Sequence, residues 1–274
     1  MKKFLTDVHT HSAFSHDSTT PLEEMLTAAY KKGMAFYGIA EHFDYDVLFG
    51  KNNQPMIDAE AYFHKARHLQ ENYAGCMNVL VGAEFGYSDN EDARTMYAFT
   101  YEKYHPDFVV NSVHGMKGDD YYYRALFGEK SLLSKAETYG AYLGVVRRSL
   151  DAPYPYDVVG HIGYLTRYAP YPDRTLGLAE FGAQIDDILK TIVTKDKILE
   201  LNTSSKGAPS TFLPSKETLR RYFELGGRKV SIASDAHGPE RIADKREEAV
   251  ALLRSIGFTY FTVPCRGEHI KVEI

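Results

Sequence analysis

Short apolar or β-branched runs alternate along this chain with longer stretches of helical spacing. The short runs are 4–9 (FLTDVH), 36–40 (FYGIA), 78–83 (NVLVGA), 107–113 (DFVVNSV), 157–160 (DVVG), 197–201 (KILEL) and 229–233 (KVSIA). Runs of this length, rich in Val, Ile and Phe, read as strands. Helical stretches cover 20–33, 58–74, 90–104, 131–150, 176–195, 215–225 and 239–256. The first, TTPLEEMLTAAYKKG, carries its own boundaries: Thr20 suits an N-cap, Pro21 the first turn and Gly33 the stop. A strand followed by a helix, repeated, implies parallel strands with helices outside, and about seven repeats predict an α/β fold of the TIM-like barrel type. No linker, low-complexity tract or repeat interrupts the pattern, so a single domain over 1–274 is expected. Residues 258–274 predict one or two extra strands on the barrel's edge.

Composition narrows the function classes. The chain has 274 residues, 32 Lys plus Arg against 37 Asp plus Glu, and a net charge of -5. That balance offers no general attraction for a phosphate backbone or an anionic membrane, so neither nucleic acid nor lipid is an expected partner. Two cysteines, Cys76 and Cys265, are too few for a disulfide framework or a cysteine-rich zinc site. The start, MKKFLTDVHTH, lacks the apolar core of a signal peptide, and no run approaches the ~18 apolar residues of a membrane span. A soluble, cytoplasmic protein is expected.

In a barrel of this kind the chemistry sits where strands end and loops begin. His9, His11 and His16 follow the first strand; the second ends in His42, the third in Glu84, the fourth in His114, the fifth in His161, and the seventh in Asp235 and His237. One histidine at a strand end is ordinarily a hydrogen-bonded structural residue. Recurrence at matching positions is different, because unrelated structural histidines have no reason to converge on one face. Residues two apart on a strand share a side, so His9 with His11, and Asp235 with His237, can grip an ion together. Nine side chains exceed the three or so that one catalytic zinc needs, so two or three divalent ions are expected, three fitting with less crowding. Imidazole-rich donors suit zinc, with iron or manganese as alternatives. His64 and His68 lie four apart on a helix, but Lys65 stands where a metalloprotease motif needs Glu. With His105 and His269 they fall outside the constellation.

The ordered set DVHTH, EH, Glu84, SVH, GH and SDAH resembles the polymerase and histidinol phosphatase (PHP) family over nearly the whole chain. The resemblance implies a distorted seven-fold (β/α) barrel and a phosphoesterase site, usually with three metals, whose nine ligands correspond to His9, His11, His16, His42, Glu84, His114, His161, Asp235 and His237. SVHGMKGDDYYY, GHIGYLTRY and ELNTSSKG point to the histidinol-phosphatase branch, hence to a small phosphate monoester in histidine synthesis as substrate.

Phosphate-ester hydrolysis also follows from the chemistry. Clustered dications lower the pKa of a bridging water to near neutral and neutralise the phosphoryl oxygens, so no protein nucleophile is needed. The leaving alkoxide wants a proton, and Asp17 is the candidate acid, or else a carboxylate orienting His16 or His42. Asp7 is expected to orient rather than ligate. Arg167 and Lys206 are candidate phosphoryl contacts, Arg167 through its guanidinium fork, and Asn202 can align substrate. Asp119 or Asp120 with one of Tyr121–Tyr123 could receive a cationic imidazole, helped by the loops 43–57 and 115–128. Other readings are a different phosphoesterase of this family, such as a protein-tyrosine phosphatase or a nuclease-like enzyme, and a non-catalytic metal-binding module. The intact donor set speaks against the last. An amidohydrolase would add a carboxylated lysine, and no strand-end lysine is evident.

Overall fold

The computed structural model describes residues 4–48, 57–116, 119–120, 134–204 and 206–274. The strands are β1 (Leu5–Asp7), β2 (Met34–Phe43), β3 (Asn78–Gly86), β4 (Val109–Ser112), β5 (Gly115–Met116), β6 (Asp119–Asp120), β7 (Val158–Val159), β8 (Ile198–Asn202), β9 (Val230–Ala233), β10 (Tyr260–Cys265) and β11 (Glu268–Glu273). Seven of them form one sheet in the order β1-β2-β3-β4-β7-β8-β9, every pairing parallel. Each corresponds to one of the seven runs read from the sequence. Helices α1 (Leu22–Lys31), α2 (Tyr45–Leu48), α3 (Ala59–Asn72), α4 (Glu91–Tyr104), α5 (Lys135–Ser149), α6 (Leu178–Thr194), α7 (Lys216–Glu224) and α8 (Arg246–Ile256) fill the connections.

Helix α1 shows why the pattern was readable. Leu22, Met25, Leu26 and Ala29 fall at helical spacing and are buried, while Glu23 and Glu24 in the first turn and Lys31 in the last complement the helix dipole. Gly33 follows with φ +77, a backbone region that favours glycine. One cap differs from expectation: Pro21, not Thr20, occupies the N-cap, without a side-chain cap. The Thr20 carbonyl instead accepts from the Ala13 amide at 2.7 Å, tying the chain back on itself. The last helical stretch is also shorter than the pattern, because Lys245 turns into the left-handed region just before α8.

The sheet curls until its first and last strands meet. Past the ends of β1 and β9, Thr10 bridges Ala236; the Asp235 amide donates to the His9 carbonyl at 2.9 Å, and the His11 amide donates to the Ala236 carbonyl at 2.8 Å. Nearer the strands, Asp7 replaces main-chain pairing with its side chain. Its carboxylate accepts from the Ser234 amide at 3.0 Å, the Ser234 hydroxyl and the Ala243 amide at 2.8 Å. Burial pushes this carboxyl up against the lowering effect of those donors. The barrel therefore closes at the carboxyl ends of its strands, through the segments that carry His9, His11 and Asp235.

The amino ends are covered by β10 and β11, an antiparallel hairpin whose two-residue turn, Arg266-Gly267, has both φ values positive. This is the predicted edge element. Arg266 fastens it to the base, donating from Nε to Asp107 at 3.0 Å and from its amide to the Asp107 carbonyl at 2.7 Å. Phe258, Phe261 and Val263 add to the apolar core beneath the strands.

Candidate metal centre

All nine strand-end residues collect at the closed mouth, and most are hidden from solvent. Side-chain exposure is 1% at His9, 0% at His11 and Glu84, 4% at His114, 2% at His161 and 7% at Asp235. It rises to 10% at His42 and 14% at His237, with Asp17 at 44%. The arrangement has a buried floor and a partly open rim. His16 stands at the rim, its ring centroid 5.4 Å from that of His42.

Glu84 occupies the centre. It is the register partner of His42 on the neighbouring strand. Its Oε1 lies 2.9 Å from His161 Nε2 and 3.1 Å from His114 Nε2; its Oε2 lies 2.8 Å from His42 Nδ1, 3.2 Å from His9 Nε2 and 3.7 Å from His11 Nε2. Among the described residues one unambiguous proton donor reaches it, Ser112 Oγ at 2.6 Å. Further out, Asp235 Oδ1 is 3.3 Å from His11 Nε2, and Asp17 Oδ2 is 3.0 Å from His237 Nε2.

The imidazole protons can be assigned from what stands behind each ring. His9 Nδ1 faces Glu200 Oε1 at 2.6 Å, and His114 Nδ1 faces Asp44 Oδ1 at 2.8 Å. His237 Nδ1 faces the Asp235 carbonyl at 3.0 Å. Carboxylates and carbonyls only accept, so each of these Nδ1 atoms carries a hydrogen, and a metal ion in the middle would be met by the lone pair of Nε2. A carboxylate behind a ligating histidine is the arrangement that fixes ring orientation and raises basicity at metal sites. Among the buried atoms left without a hydrogen-bond partner are His9 Nε2, His11 Nε2, His237 Nε2, His42 Nδ1 and Glu84 Oε2. Imidazole nitrogens crowded around a carboxylate call for positive charge among them, as a proton or a metal ion.

The spacing suits such a cation. With Zn–N near 2.0–2.1 Å, ligand atoms of a tetrahedral site lie about 3.3–3.4 Å apart, close to the 3.3 Å between His114 Nε2 and His161 Nε2. Four groups have donor atoms all within 4.8 Å of one another: His9, His11 and Asp235; Glu84, His114 and His161; His11, His42 and His237; and His42, Asp44 and His114. Electrostatics agree. Burial alone would lower the His9 imidazole, yet Glu84 and Glu200 outweigh it and hold His9 well above its ordinary value; Asp44 and Glu84 do the same to His114. Burial would raise Glu84, but His9, His114 and His42 keep it well below the carboxylate range. The mouth demands positive charge, and the residues present fit divalent ions.

One carboxylate, Glu200, escaped the sequence reading, and Asp44 entered it only as part of the loop 43–57. Glu200 backs His9 and also accepts from the His161 amide at 2.6 Å; Asp44 backs His114. A signal for Glu200 was available, since an acid inside the apolar run KILEL must point into the barrel and needs a partner there. Asp44 is admitted by Gly86: a Cβ there would lie 1.7 Å from Asp44 Oδ1.

The remaining candidates fall in distinct places. Arg167 is buried beside the cluster; its Nη2 donates to the Ser204 carbonyl at 2.6 Å and lies 3.3 Å from Asn202 Oδ1 and 3.5 Å from Asp235 Oδ2. Its Nε has no hydrogen-bond partner. Lys206 is exposed, next to Gly207, where a Cβ would be 3.5 Å from the Arg167 carbonyl. Asn202 accepts from the Ser204 amide at 2.9 Å. His105 is the left-handed C-cap of α4, and Lys229 donates to His269 at the base, so both stand apart from the mouth. Tyr121–Tyr123 and most of the loops 43–57 and 115–128 lie outside the described residues; for Asp119 and Asp120 only the backbone is described.

Comparison with known proteins gives the same direction. Residues 7–204 match the model of the PHP domain. Over 249 residues the chain is 30% identical to a probable histidinol-phosphatase of Clostridium acetobutylicum, covering 91% of this chain and 92% of that protein. It is 27% identical over 260 residues to the histidinol-phosphatase of Lactococcus lactis, covering 94% and 93%. A crystal structure of the histidinol phosphate phosphatase of Lactococcus lactis, in complex with zinc, L-histidinol and phosphate, superimposes with a TM-score of 0.84 at 24% identity, covering 97% of this chain and 99% of that one.

Proposed function

The chain belongs to the PHP domain family, and from that premise we propose that it is a metal-dependent phosphatase that hydrolyses L-histidinol phosphate to L-histidinol and phosphate. The observation that carries the reading is the set of imidazole nitrogens converging on Glu84. Relatives that share about nine-tenths of this chain carry the histidinol-phosphatase name, which supports the choice of substrate within the family.

In this reading His9, His11, His16, His42, Glu84, His114, His161, Asp235 and His237 would hold two or three divalent ions, with Glu84 central among them at the floor. Zinc is the first choice for so imidazole-rich a set, with iron or manganese as alternatives. Charge favours three. Asp44, Glu84, Glu200 and Asp235 are buried at the mouth and Asp17 stands at its rim, whereas among the described residues Arg167 is the guanidinium buried beside them. Bound dications supply an acidified water as nucleophile and neutralise the phosphoryl oxygens.

The chain's own residues do the rest. Arg167 is held by Ser204 and Asn202 with Nε still free to donate, and we assign it to a phosphoryl oxygen; Lys206 supplies a second positive charge from the exposed loop beside it. Asp17 faces His42 and His237. Burial would raise its carboxyl, but those two imidazoles hold it well below the usual range, and bound dications would lower it further. That environment suits an ionised carboxylate that orients the rim imidazoles better than an acid. We also propose that the chain acts as one barrel over 1–274, in the cytoplasm. No described helix is long and apolar enough to cross a membrane, and an exposed free thiol at Cys76 fits a reducing compartment.

A panel of phosphate monoesters tests this. We expect kcat/KM for L-histidinol phosphate to exceed that for phosphotyrosine or glycerol phosphate by at least about 10²-fold, the worth of two good polar contacts. Phosphotyrosine winning would keep the family and remove the substrate. In the same panel, Asp17→Asn should slow alkyl and 4-nitrophenyl phosphates alike; a loss confined to alkyl substrates would return Asp17 to the acid role.

A further inference from the structure

Glu41 lies on β2 beside His42, fully buried, and among the described residues it meets no cation in an ion pair. Among the described residues, all the hydrogen bonds of its carboxylate come from the loop that follows His11. Oε1 accepts from Ser12 Oγ at 2.5 Å and Oε2 from Ser15 Oγ at 2.5 Å, while the Ser12 amide reaches both oxygens at 3.0 Å. A hydroxyl has one proton to give and two lone pairs to receive with. At Ser15 all three are committed. Its proton goes to Glu41, one lone pair accepts from the His42 amide at 3.0 Å, and the other faces His11 Nδ1 at 3.2 Å. Ser15 can therefore only accept from His11, which places the ring hydrogen on Nδ1 and leaves Nε2 as a lone pair toward Glu84 and Asp235.

We propose that Glu41 is a positioning residue that sets the tautomer of His11 through Ser15, and so makes His11 a metal ligand. His11 differs in this from His9 and His114, whose Nδ1 atoms meet carboxylates directly. The inference rests on the metal-site reading given above. Its consequence is specific: the identity of one atom at position 41, two hydrogen bonds from the ring, decides which nitrogen of His11 faces the ions.

The substitution Glu41→Gln exposes the relay. A glutamine has one acceptor oxygen and one NH2 group. The oxygen keeps the two Ser12 donors, and the NH2 then donates to Ser15 Oγ, which releases the Ser15 proton toward His11 Nδ1. The ring must turn over its tautomer, and Nε2 then presents a hydrogen to the centre where a lone pair is needed. Ser15→Ala removes the relay atom, so Nδ1 loses its acceptor and the Nε2–H form, which can donate to Asp235 Oδ1 at 3.3 Å, gains population. Ser12→Ala removes one bond to Glu41 and keeps the Ser15 link intact.

The experiment reads the tautomer directly, by long-range 1H–15N correlation spectra of the 15N-labelled, metal-free protein, together with zinc affinity by chelator competition. We expect His11 as the Nδ1–H form in the wild type and in Ser12→Ala. We expect the Nε2–H form in Glu41→Gln, with one zinc bound about 10–100-fold more weakly, and a mixture in Ser15→Ala with a smaller loss. An unchanged His11 tautomer in Glu41→Gln overturns the proposal, as does a Ser12→Ala variant that behaves like Glu41→Gln, since that would make Glu41 a loop anchor only. If Glu41→Gln does not fold, an unmixed Nδ1–H signal in Ser15→Ala overturns it equally. A wild type that binds no zinc would sink the proposed function, while the spectra would still decide the relay.

Discussion

Two buried carboxylates at opposite ends of the barrel, Glu84 at the mouth and Asp107 at the base, have nearly the same burial and opposite surroundings. Asp107 accepts from Arg67 Nη1 at 2.7 Å, Arg266 Nε at 3.0 Å, Gln70 Nε2 at 2.6 Å and the Val81 amide at 2.9 Å. Every partner brings a proton, and two bring a charge. Glu84 has the Ser112 hydroxyl and otherwise faces imidazole nitrogens, of which His9 and His114 already give one proton to a carboxylate behind the ring. The base carboxylate is completed by the protein, whereas the mouth carboxylate is completed by something the protein must bind. Buried polar groups left incomplete cost stability, so the chain keeps them where ions offset that cost and chemistry uses them.

The largest effect should come from breaking the mouth. Glu84→Gln removes the charge shared by the floor, and we expect phosphatase activity to fall by about 10³-fold or more, since positioned dications are worth several kcal/mol to phosphoryl transfer. Bound metal should fall by at least one equivalent while the circular dichroism spectrum stays unchanged. Loss of the fold instead would make Glu84 a structural residue.

Breaking the base should do the converse. Asp107→Asn leaves Arg67 and Arg266 short of a charge and is expected to cost about 2–3 kcal/mol in denaturant unfolding, with metal content and kcat unaltered. Burial would raise the Asp107 carboxyl, but the Val81 amide and Arg67 outweigh it and hold it below its ordinary value. Its contribution is therefore complete above the unfolded pKa near 3.9 and is lost as pH falls through the lower folded value. In Asp107→Asn that part of the acid sensitivity should be absent, which parallel acid titrations would reveal.

A smaller change sharpens the comparison within the mouth. Gly86→Ala adds one methyl group that Asp44 must vacate, so His114 loses the carboxylate behind its Nδ1. We expect metal affinity to drop by about 10–100-fold with the ligand residues all present. Affinity equal to wild type would mean that Asp44 is not needed to hold His114.

The two ends also differed in how much of them could be read from sequence. Strand ends at the mouth announced themselves because His9 with His11, and Asp235 with His237, sit two apart where a parallel strand meets its loop. The base gave no such signal: Asp107 pairs with Arg67 on α3 and with Arg266 in the terminal hairpin, contacts set by the closed barrel and by no local period. The same holds for the groups behind the mouth. His9 and Glu200 are 191 positions apart, and His114 and Asp44 are 70 apart; their meeting depends on the register of distant strands. Asp7 illustrates an intermediate case. It was expected to orient site residues, and it does its work by stapling Ser234 and Ala243 across the closure, just beneath Asp235. Thr20 lost the cap of α1 to Pro21 because the chain before that helix is already committed to the turn after Ser12.

Elemental analysis of the metal-replete protein, purified without chelator, tests the central claim most directly, because everything said of the mouth follows from lone pairs that need cations. The account predicts between two and three divalent transition-metal ions per chain, at about the stoichiometry that the converging histidine and carboxylate donors support. One ion or fewer after supplementation with zinc, iron or manganese would contradict it.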